Sequence, residues 1–228
     1  GTDVSRWYGD GEVRVHALNG VSFEIYPGEF VVVLGPSGSG KSTLLNLLGG
    51  MDSASGGELL YGEKDLSEMT GLELSSYRRD VVGFVFQFFH LIPTLTAKEN
   101  VELASSITPG SRSADEVLEM VGLAERKEHF PAQMSGGEQQ RVSIARAIVK
   151  NPSIMLCDEP TGALDYETGK EVLQLLQDIC QTQGMTVMII THNSALAPMA
   201  HKVIRFRSGK VASEEINATP QPIADIEW

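Results

Sequence analysis

The residues best suited to chemistry lie in four short stretches spread along the chain. In order they read Gly35-Pro-Ser-Gly-Ser-Gly-Lys-Ser42, Met134-Ser-Gly-Gly-Glu-Gln-Gln-Arg141, Ile154-Met-Leu-Cys-Asp-Glu159 and Thr191-His192. The first fits the phosphate-loop pattern G-x-x-x-x-G-K-[ST] at every specified position. Its glycines Gly35, Gly38 and Gly40 let backbone N–H groups face an anion, and the following helix adds its dipole. We expect Lys41 to reach the β- and γ-phosphates of a nucleoside triphosphate and the Ser42 hydroxyl to bind Mg²⁺.

Two adjacent carboxylates, Asp158 and Glu159, end an apolar run that predicts a buried strand. In open α/β sheets, ligands bind at the carboxyl ends of the strands, and two neighbouring carboxylates there cannot both be core residues. Asp158 is therefore predicted to organise Mg²⁺, and Glu159 to be the base that polarises an attacking water. The alternative is a solvated turn between a strand and a loop.

Three further polar sites are weak signals when each is taken alone. Ser135-Gly-Gly137 opens a long predicted helix, which makes a second helix N-terminus able to bind an anion, or a plain helix cap. His192 follows a predicted strand, where a single histidine is more often structural than catalytic. Gln87 follows another predicted strand and by itself indicates little.

Composition and charge narrow the class of partner. The 228 residues include 30 acidic and 18 basic side chains, a net charge of −12. This charge disfavours nucleic acid as a partner, because such binding needs Lys and Arg to neutralise phosphates.

Cys157 and Cys180 form no C-x-x-C pattern, so we expect reduced thiols. The apolar runs are too short to span a bilayer, and no signal peptide is visible. The chain opens with Gly1-Thr2 rather than Met, so we expect a trimmed start that lacks a native first strand.

Hydrophobic patterning predicts an α/β protein with a helical insertion. Predicted strands cover residues 13–17, 21–25, 30–34, 58–61, 81–86, 154–157, 186–190 and 202–206, with Asn19-Gly20 as a hairpin-type turn between the first two. Predicted helices cover residues 41–48, 114–121, 136–149 and 167–182, and Thr96-x-x-Glu99 reads as the capping box of another. The order is a β-rich start, a phosphate-loop core, a helical segment and a return to the core.

The four stretches, taken together and in this order, resemble the ATP-binding-cassette (ABC) ATPases over nearly the whole chain. The resemblance implies an α/β fold in which a phosphate-loop NTPase core of ABC type carries an N-terminal antiparallel β-subdomain and an inserted α-helical subdomain. We expect residues 1–228 to form one nucleotide-binding domain and residues 88–150 to form the helical subdomain, which includes the signature helix opened by the family's signature run, here Ser135-Gly-Gly-Glu-Gln139. Cys157 and Met134 stand where the family more often has Ala and Leu, and both differences are conservative.

The family's functional residues carry over to matching positions of this chain. The implied catalytic residues are Lys41, Glu159 and His192, the last as the switch histidine that contacts the γ-phosphate. The implied Mg²⁺ ligands are Ser42, Gln87 and Asp158. The implied ATP-binding residues are Tyr8, Gly35, Pro36, Ser37, Gly38, Ser39, Gly40, Lys41, Ser42, Thr43, Gln87, Ser135, Gly136, Gly137, Glu138 and Asp165. In the family, the signature residues contact the γ-phosphate held by the other protomer, and the loop that contains Asp165 crosses to the partner chain.

In the ABC ATPases, adenine stacks on an aromatic residue upstream of the phosphate loop, and the resemblance implies such a residue here. Trp7 and Tyr8 are both available, and Tyr8 aligns better with the family's position. A packing role for Tyr8 remains the alternative.

Three other segments are similar to the lipoprotein-releasing and macrolide-export type of ABC ATPase subunit: Gly83 to Glu102, Leu47-Leu-Gly-Gly-Met-Asp52 and Phe130-Pro-Ala-Gln133. This similarity implies an ATP- and Mg²⁺-dependent ATPase that forms a homodimer on binding ATP. It would power a separate membrane permease, in export or in the extrusion of lipoprotein, lipid or peptide, from the cytoplasmic face of the cell membrane. The alternative is a soluble ABC ATPase not coupled to transport, such as one of iron–sulfur cluster assembly.

An apolar cluster directly follows Gln87 and suits a coupling surface. Phe88, Phe89, Leu91 and Ile92 are apolar, and Pro93 breaks the local structure. We expect this cluster to receive a helix of the permease, against the alternative that individual members belong to the core.

Overall fold

Strands and helices alternate along the chain, whose computed structural model describes residues 1–9 and 11–227. The strands are β1 Thr2–Tyr8, β2 Val15–Val21, β3 Phe30–Leu34, β4 Gly56–Glu58, β5 Leu60–Tyr61, β6 Lys64–Asp65, β7 Val82–Phe86, β8 Ile154–Asp158, β9 Thr186–Thr191, β10 Lys202–Arg207 and β11 Lys210–Ile216. The α-helices are α1 Lys41–Leu48, α2 Gly71–Asp80, α3 Ala97–Ser105, α4 Ala114–Met120, α5 Gly136–Ile148 and α6 Tyr166–Gln183. Within the described residues, no helix combines the length and the apolar character needed to cross a membrane.

A six-stranded sheet with the order β11-β10-β3-β9-β8-β7 carries the site. Its pairs from β10 to β7 are parallel, and β11 adds an antiparallel edge. Every residue of β3 and of β9 is buried, as expected for parallel strands covered on both faces. The carboxyl ends of the parallel strands meet at one edge, which brings the loops after β3, β7, β8 and β9 together.

Two hydrophobic clusters cover the two faces of this sheet, and the side chains of β3 alternate between them. Val31 and Val33 pack with the leucines of α1 and with residues of β1 and β2. Val32 packs in the other cluster, with apolar residues of α3, α4, α5 and α6. The alternation follows from the two-residue period of a strand. The phosphate-loop helix and the signature helix therefore lie on opposite faces of one sheet.

The N-terminal region confirms the predicted antiparallel β-subdomain but corrects its details. A three-stranded sheet has the order β2-β1-β4, and both of its strand pairs are antiparallel. Asn19-Gly20 lies inside β2 rather than in a hairpin turn, because β2 pairs with the unpredicted strand β1. The N–H of Asn19 donates to the carbonyl of Gly209 at 2.8 Å. This contact with a residue distant in sequence stabilises the strand conformation where the local sequence predicts a turn. Residues 22–25 are not a strand, and the predicted strand 58–61 divides into β4 and β5.

The four predicted helices with stated bounds are present, and their ends agree with the prediction to within one residue. Thr96 caps α3 through the expected capping box, in which Glu99 N–H donates to Thr96 and the Thr96 N–H donates to Glu99. Helix α2 was not predicted, because its only buried residue is Tyr77 and its sequence is polar. Strand β11 was missed for a similar reason, since most of its residues are exposed.

Candidate active site

A cavity of about 730 Å³ lies at the edge where the parallel strands end. Its volume is within the range of small-molecule sites in proteins. The predicted residues that line it are Ser37, Gly38, Gly40, Lys41, Ser42, Thr43, Gln87, Asp158, Glu159 and His192. Residues that were not predicted also line it, among them Val15, His16 and Ala17 of β2, and Gly162.

The phosphate loop is fixed by close backbone contacts that require glycine. Gly40 has φ 107°, and a Cβ there would lie 2.4 Å from the carbonyl oxygen of Ala17. A Cβ on Gly35 would lie 2.6 Å from the carbonyl oxygen of Phe206. The loop is thus pressed between β2 and β10. It delivers the first N–H groups of α1 to the cavity, where they can bind an anion.

Lys41 is the buried cation of the loop. Its Nζ donates to the carbonyl oxygens of Gly35 at 2.7 Å and Pro36 at 3.0 Å. Burial lowers the pKa of Lys41, while the charges of Glu159 and Asp158 act in the opposite direction. Gly35 and Pro36 therefore contribute carbonyl groups to the site rather than cavity lining. Ser39, a residue of the same loop, is also buried. Within the described residues, its hydroxyl group has no hydrogen-bond partner.

Asp158 and Ser42 form a polar pair at the end of β8. Burial raises the pKa of Asp158, the hydrogen bond with Ser42 lowers it, and the nearby Glu159 raises it again. One carboxylate and one hydroxyl fit Mg²⁺, which commonly binds one or two protein carboxylates together with substrate phosphates. In the described part of the chain, no three His, Cys, Asp or Glu side chains are grouped to hold a metal. These residues could hold Mg²⁺ together with a nucleotide.

Glu159 is held in an unusual backbone conformation beside His192. Its φ is +47°, in the left-handed region that non-glycine residues adopt mainly at constrained sites. Its N–H donates to the carbonyl of Ile190 at 2.9 Å. One carboxylate oxygen, Oε1, accepts the N–H of His192 at 3.1 Å and lies 2.9 Å from His192 Nδ1. The His192 side chain is 71% exposed and that of Glu159 only 20%, so the histidine covers the carboxylate from the solvent side.

Gln87 reaches the cavity from the end of β7, in contact with the loop that follows Glu159. A Cβ on Gly162 would lie 2.8 Å from Gln87 Nε2, so glycine allows this approach. The N–H of Gly162 donates to the carbonyl of Glu159 at 2.9 Å, which closes a turn against the Gln87 side chain. Sequence reasoning missed Gly162, although a glycine three residues after Glu159 was a visible signal.

Five other predicted residues, Ser135, Gly136, Gly137, Glu138 and Asp165, form a second group at the N-termini of α5 and α6, outside the cavity lining. Ser135 caps α5, and its N–H donates to Glu138 Oε2 at 2.8 Å. Asp165 caps α6 through Thr168. A Cβ on Gly137 would lie 2.1 Å from Thr168 Cγ2, so the two helix starts touch. Gly136 lies between Ser135 and Gly137 in the first turn, and both Ser135 and Asp165 are exposed.

Tyr8 is not among the residues that line the cavity. Its hydroxyl donates to Asp52 Oδ2 at 2.8 Å, and the guanidinium of Arg6 lies 4.6 Å from its ring centre. Trp7, the other aromatic candidate, packs against His16 with ring centres 5.8 Å apart. Val15, His16 and Ala17 of β2 line the cavity near these aromatic residues in sequence, and the stacking role of Tyr8 stays a prediction.

The family model described as ABC transporter matches residues 18–162. An uncharacterized ABC transporter ATP-binding protein of Thermotoga maritima is 46% identical over 219 residues, which are 93% of this chain and 93% of that protein. The chain belongs to the ABC transporter family. A macrolide export ATP-binding/permease protein, MacB, of Marinobacter nauticus is 45% identical over 93% of this chain. The match covers 34% of that protein, so this ABC chain spans about a third of the exporters it matches.

Solved structures of ABC cassettes confirm the fold class. The dimeric structure of MJ0796, a bacterial ABC transporter cassette, has a TM-score of 0.85 and 43% identity, and the match covers 94% of this chain and 97% of that one. A dimeric post-hydrolysis state of the same cassette, bound to ADP and Pi, has a TM-score of 0.84 and 42% identity, with the same coverage. The chain is therefore an ATPase cassette of the ABC type.

Proposed function

We propose that this chain hydrolyses ATP with Mg²⁺ and, as one of two ATPase subunits, powers a membrane permease. One observation carries the proposal: a single cavity gathers the phosphate loop, Gln87, Asp158, Glu159 and His192. They come from the ends of four strands, β3, β7, β8 and β9, at one edge of the sheet, and Asp158 and Glu159 share the end of β8. A cation, a metal-binding pair and a candidate base around one cavity are the groups that phosphoryl transfer to water requires.

Within the cavity, each side chain has a distinct proposed role. The loop N–H groups and Lys41 bind the phosphates, with Lys41 exchanging its carbonyl acceptors for phosphate oxygens. Ser42, Gln87 and Asp158 would hold Mg²⁺, which neutralises charge on the β- and γ-phosphates when bound. Glu159 takes the proton of the attacking water. His192, bonded to Glu159 through its backbone N–H, orients that carboxylate and faces the γ-phosphate.

The second group of residues is proposed to act on the nucleotide of another copy. Ser135, Gly136, Gly137 and Glu138 begin a 13-residue helix, whose N-terminus can bind an anion, yet they do not line their own cavity. Asp165 lies beside them. Two copies in head-to-tail orientation would place each signature against the partner's phosphate loop and enclose two ATP molecules. The solved structures of the similar cassette are dimeric, which supports assembly of two copies.

Transport coupling is proposed through the exposed segment after Gln87. Phe88 is 70% exposed and Ile92 is 37% exposed, whereas Phe89 and Leu91 are partly buried. The proposed coupling surface is therefore Ile92 and Phe88, which also lines the cavity, rather than all four side chains. We propose that it belongs to a helical subdomain, residues 88–150, of a single nucleotide-binding domain, residues 1–228. The relatives named ATP-binding/permease proteins support a permease partner, which would place the chain on the cytoplasmic face of the membrane.

The direct test measures phosphate release by the purified chain from ATP with and without Mg²⁺. The proposal predicts saturable release that stops when EDTA removes the metal. No release at any protein concentration would contradict it. Copurification with a membrane protein separates the transport function from the alternative of a soluble ABC ATPase, and no relative described above is a cluster-assembly protein.

A further inference from the structure

Gln140 is a fully buried polar side chain that touches both catalytic loops. Its exposure is 0%. From Nε2 it donates to the carbonyl oxygen of Phe86 at 3.2 Å and to that of Pro160 at 2.7 Å. Phe86 directly precedes Gln87, and Pro160 directly follows Glu159. One amide group therefore joins the residue before Gln87, a proposed Mg²⁺ ligand, to the residue after Glu159, the proposed base.

The two bonds lie where the sheet stops holding these loops together. Strands β7 and β8 pair in parallel from Val82 with Ile154 to Phe86 with Asp158, and the register ends there. Gln87 and Glu159 are the first residues beyond that last pair. The two hydrogen bonds of Gln140 join the segments that follow β7 and β8 at the point where the backbone pairing of the two strands ends.

Gln140 belongs to the helix that begins at the signature, so the link also reaches the second group of residues. Four residues separate it from Ser135, the cap of α5. The same helix holds the segment after Gln87 through Arg146, whose guanidinium donates to the carbonyls of Phe89 at 2.8 Å and His90 at 2.6 Å. Phe89 and His90 both have positive φ, at 60° and 49°. Helix α5 thus holds the Gln87 loop on both sides of Gln87.

We propose that Gln140 is a positioning residue for the hydrolysis reaction, which sets Gln87 and Glu159 relative to each other from the signature helix. The inference rests on the proposed function and deepens it. Engagement of Ser135 by the nucleotide of a second copy would act on α5, and Gln140 would carry that change to both catalytic loops of its own chain. Its Oε1 is buried without a hydrogen-bond partner among the described residues, so the side chain leaves an acceptor unsatisfied while both of its donor contacts are made.

The test replaces Gln140 by methionine, which has a similar length and no N–H donors. We expect kcat of Gln140→Met for ATP hydrolysis to fall about tenfold, because loss of the two bonds lets the catalytic loops shift relative to each other. KM for ATP should stay within about twofold of wild type, since the phosphate loop is untouched. Affinity for a fluorescent ATP analogue is measured in parallel and should not change.

A matched control separates positioning from stability. Gln177 is also buried and also makes two backbone bonds, to the carbonyl of Gln221 at 2.9 Å and from the N–H of Ile223 at 3.0 Å, away from the cavity lining. Gln177→Met should lower the melting temperature as Gln140→Met does but keep wild-type kcat. Gln140→Asn, whose shorter amide cannot reach both carbonyls, is measured beside them and decides the question if the methionine variant does not fold.

The outcomes distinguish this inference from the proposed function. Gln140 variants whose kcat equals that of Gln177→Met would overturn the inference while leaving the ATPase function intact. A kcat loss matched by an equal loss of ATP affinity would also overturn it. A wild-type chain that releases no phosphate would overturn the proposed function and the inference with it.

Discussion

At the residue scale, Lys41 is a buried cation whose ammonium group is held inside the phosphate loop, next to the cavity. Burial lowers the pKa of Lys41, and two nearby carboxylates, Glu159 and Asp158, counteract that effect. The ammonium group is held by the two loop carbonyls of Gly35 and Pro36. A phosphate would offer it charged acceptors instead, and hydrogen bonds between charged groups are the stronger kind.

Lys41→Ala is therefore expected to weaken ATP binding by roughly 10- to 100-fold, the equivalent of about 1.5–3 kcal/mol for hydrogen bonds to a charged group. Titration with a fluorescent ATP analogue measures the change. Lys150→Ala is the control, because Lys150 also donates to two carbonyls, those of Arg78 and Val82, and does not line the cavity. Equal losses of ATP affinity in the two variants would show that Lys41 stabilises the fold and does not bind the phosphates.

Residue types and spacing predicted several members of the cavity that follow directly after strands. The phosphate loop, Asp158 and Glu159 were predicted because each comes after an apolar run, and such runs mark the edge where ligands bind. Gln87 and His192 also follow strands, but they were assigned only through the resemblance to the ABC ATPases. Gln140 and His16 were not predicted, since their roles depend on which distant backbone or ring they meet. No local pattern indicates that an amide in mid-helix reaches the carbonyls of Phe86 and Pro160.

At the element scale, strands whose two faces are both buried were the easiest to predict from the sequence, because all of their residues are apolar or small. Strands β3 and β9 are buried throughout and read as continuous apolar runs. Strand β11 and helix α2 are largely exposed, so their patterns are weak. Strand β1 shows a mixed burial pattern and pairs with β2 through irregular register, which two-residue alternation does not capture.

The segment between β7 and α3 carries the proposed coupling surface, and Ile92 tests it. Its side chain is exposed, while its backbone is fixed by Asn100, which accepts the N–H of Ile92 at 2.8 Å and donates to its carbonyl at 3.2 Å. Ile92→Glu should therefore fold normally and keep ATPase activity within a few-fold of wild type. Association with the cognate permease should be lost, as a pull-down would measure.

Leu72→Glu supplies the control for Ile92→Glu. Leu72 is 83% exposed and lies on α2, outside the segment that follows Gln87. It should leave permease association unchanged. Normal assembly of Ile92→Glu with the permease would mean that the coupling surface lies elsewhere.

At the scale of the whole molecule, the proposed ATP-binding residues fall into two groups that one chain does not bring to one cavity. One group consists of the phosphate loop and the other residues at the cavity, and the second begins α5 and α6, while Tyr8 belongs to neither. A single chain can therefore bind ATP with the first group while the second awaits another copy. Binding and hydrolysis are predicted to respond differently to changes in the second group.

Ser135→Arg is expected to leave ATP binding by the isolated chain almost unchanged and to stop hydrolysis, because a bulky side chain would block the signature from the partner's nucleotide. Binding is measured by titration and hydrolysis by phosphate release. Ser113→Arg removes a similar serine cap, that of α4, and should keep hydrolysis after its loss of about 1 kcal/mol of helix stability. Loss of ATP binding in Ser135→Arg would refute action in trans.

The central claim is that ATP closes two copies into a dimer and that hydrolysis by Glu159 reopens it. Glu159→Gln preserves the shape of the side chain and an acceptor for the His192 N–H, but removes the base, so turnover should fall at least about 100-fold. Size-exclusion chromatography with light scattering in MgATP measures the assembly directly. Glu159→Gln should form a stable species of twice the chain mass of 24.7 kDa. A Glu159→Gln protein that stays monomeric in MgATP and hydrolyses ATP at the wild-type rate would contradict it.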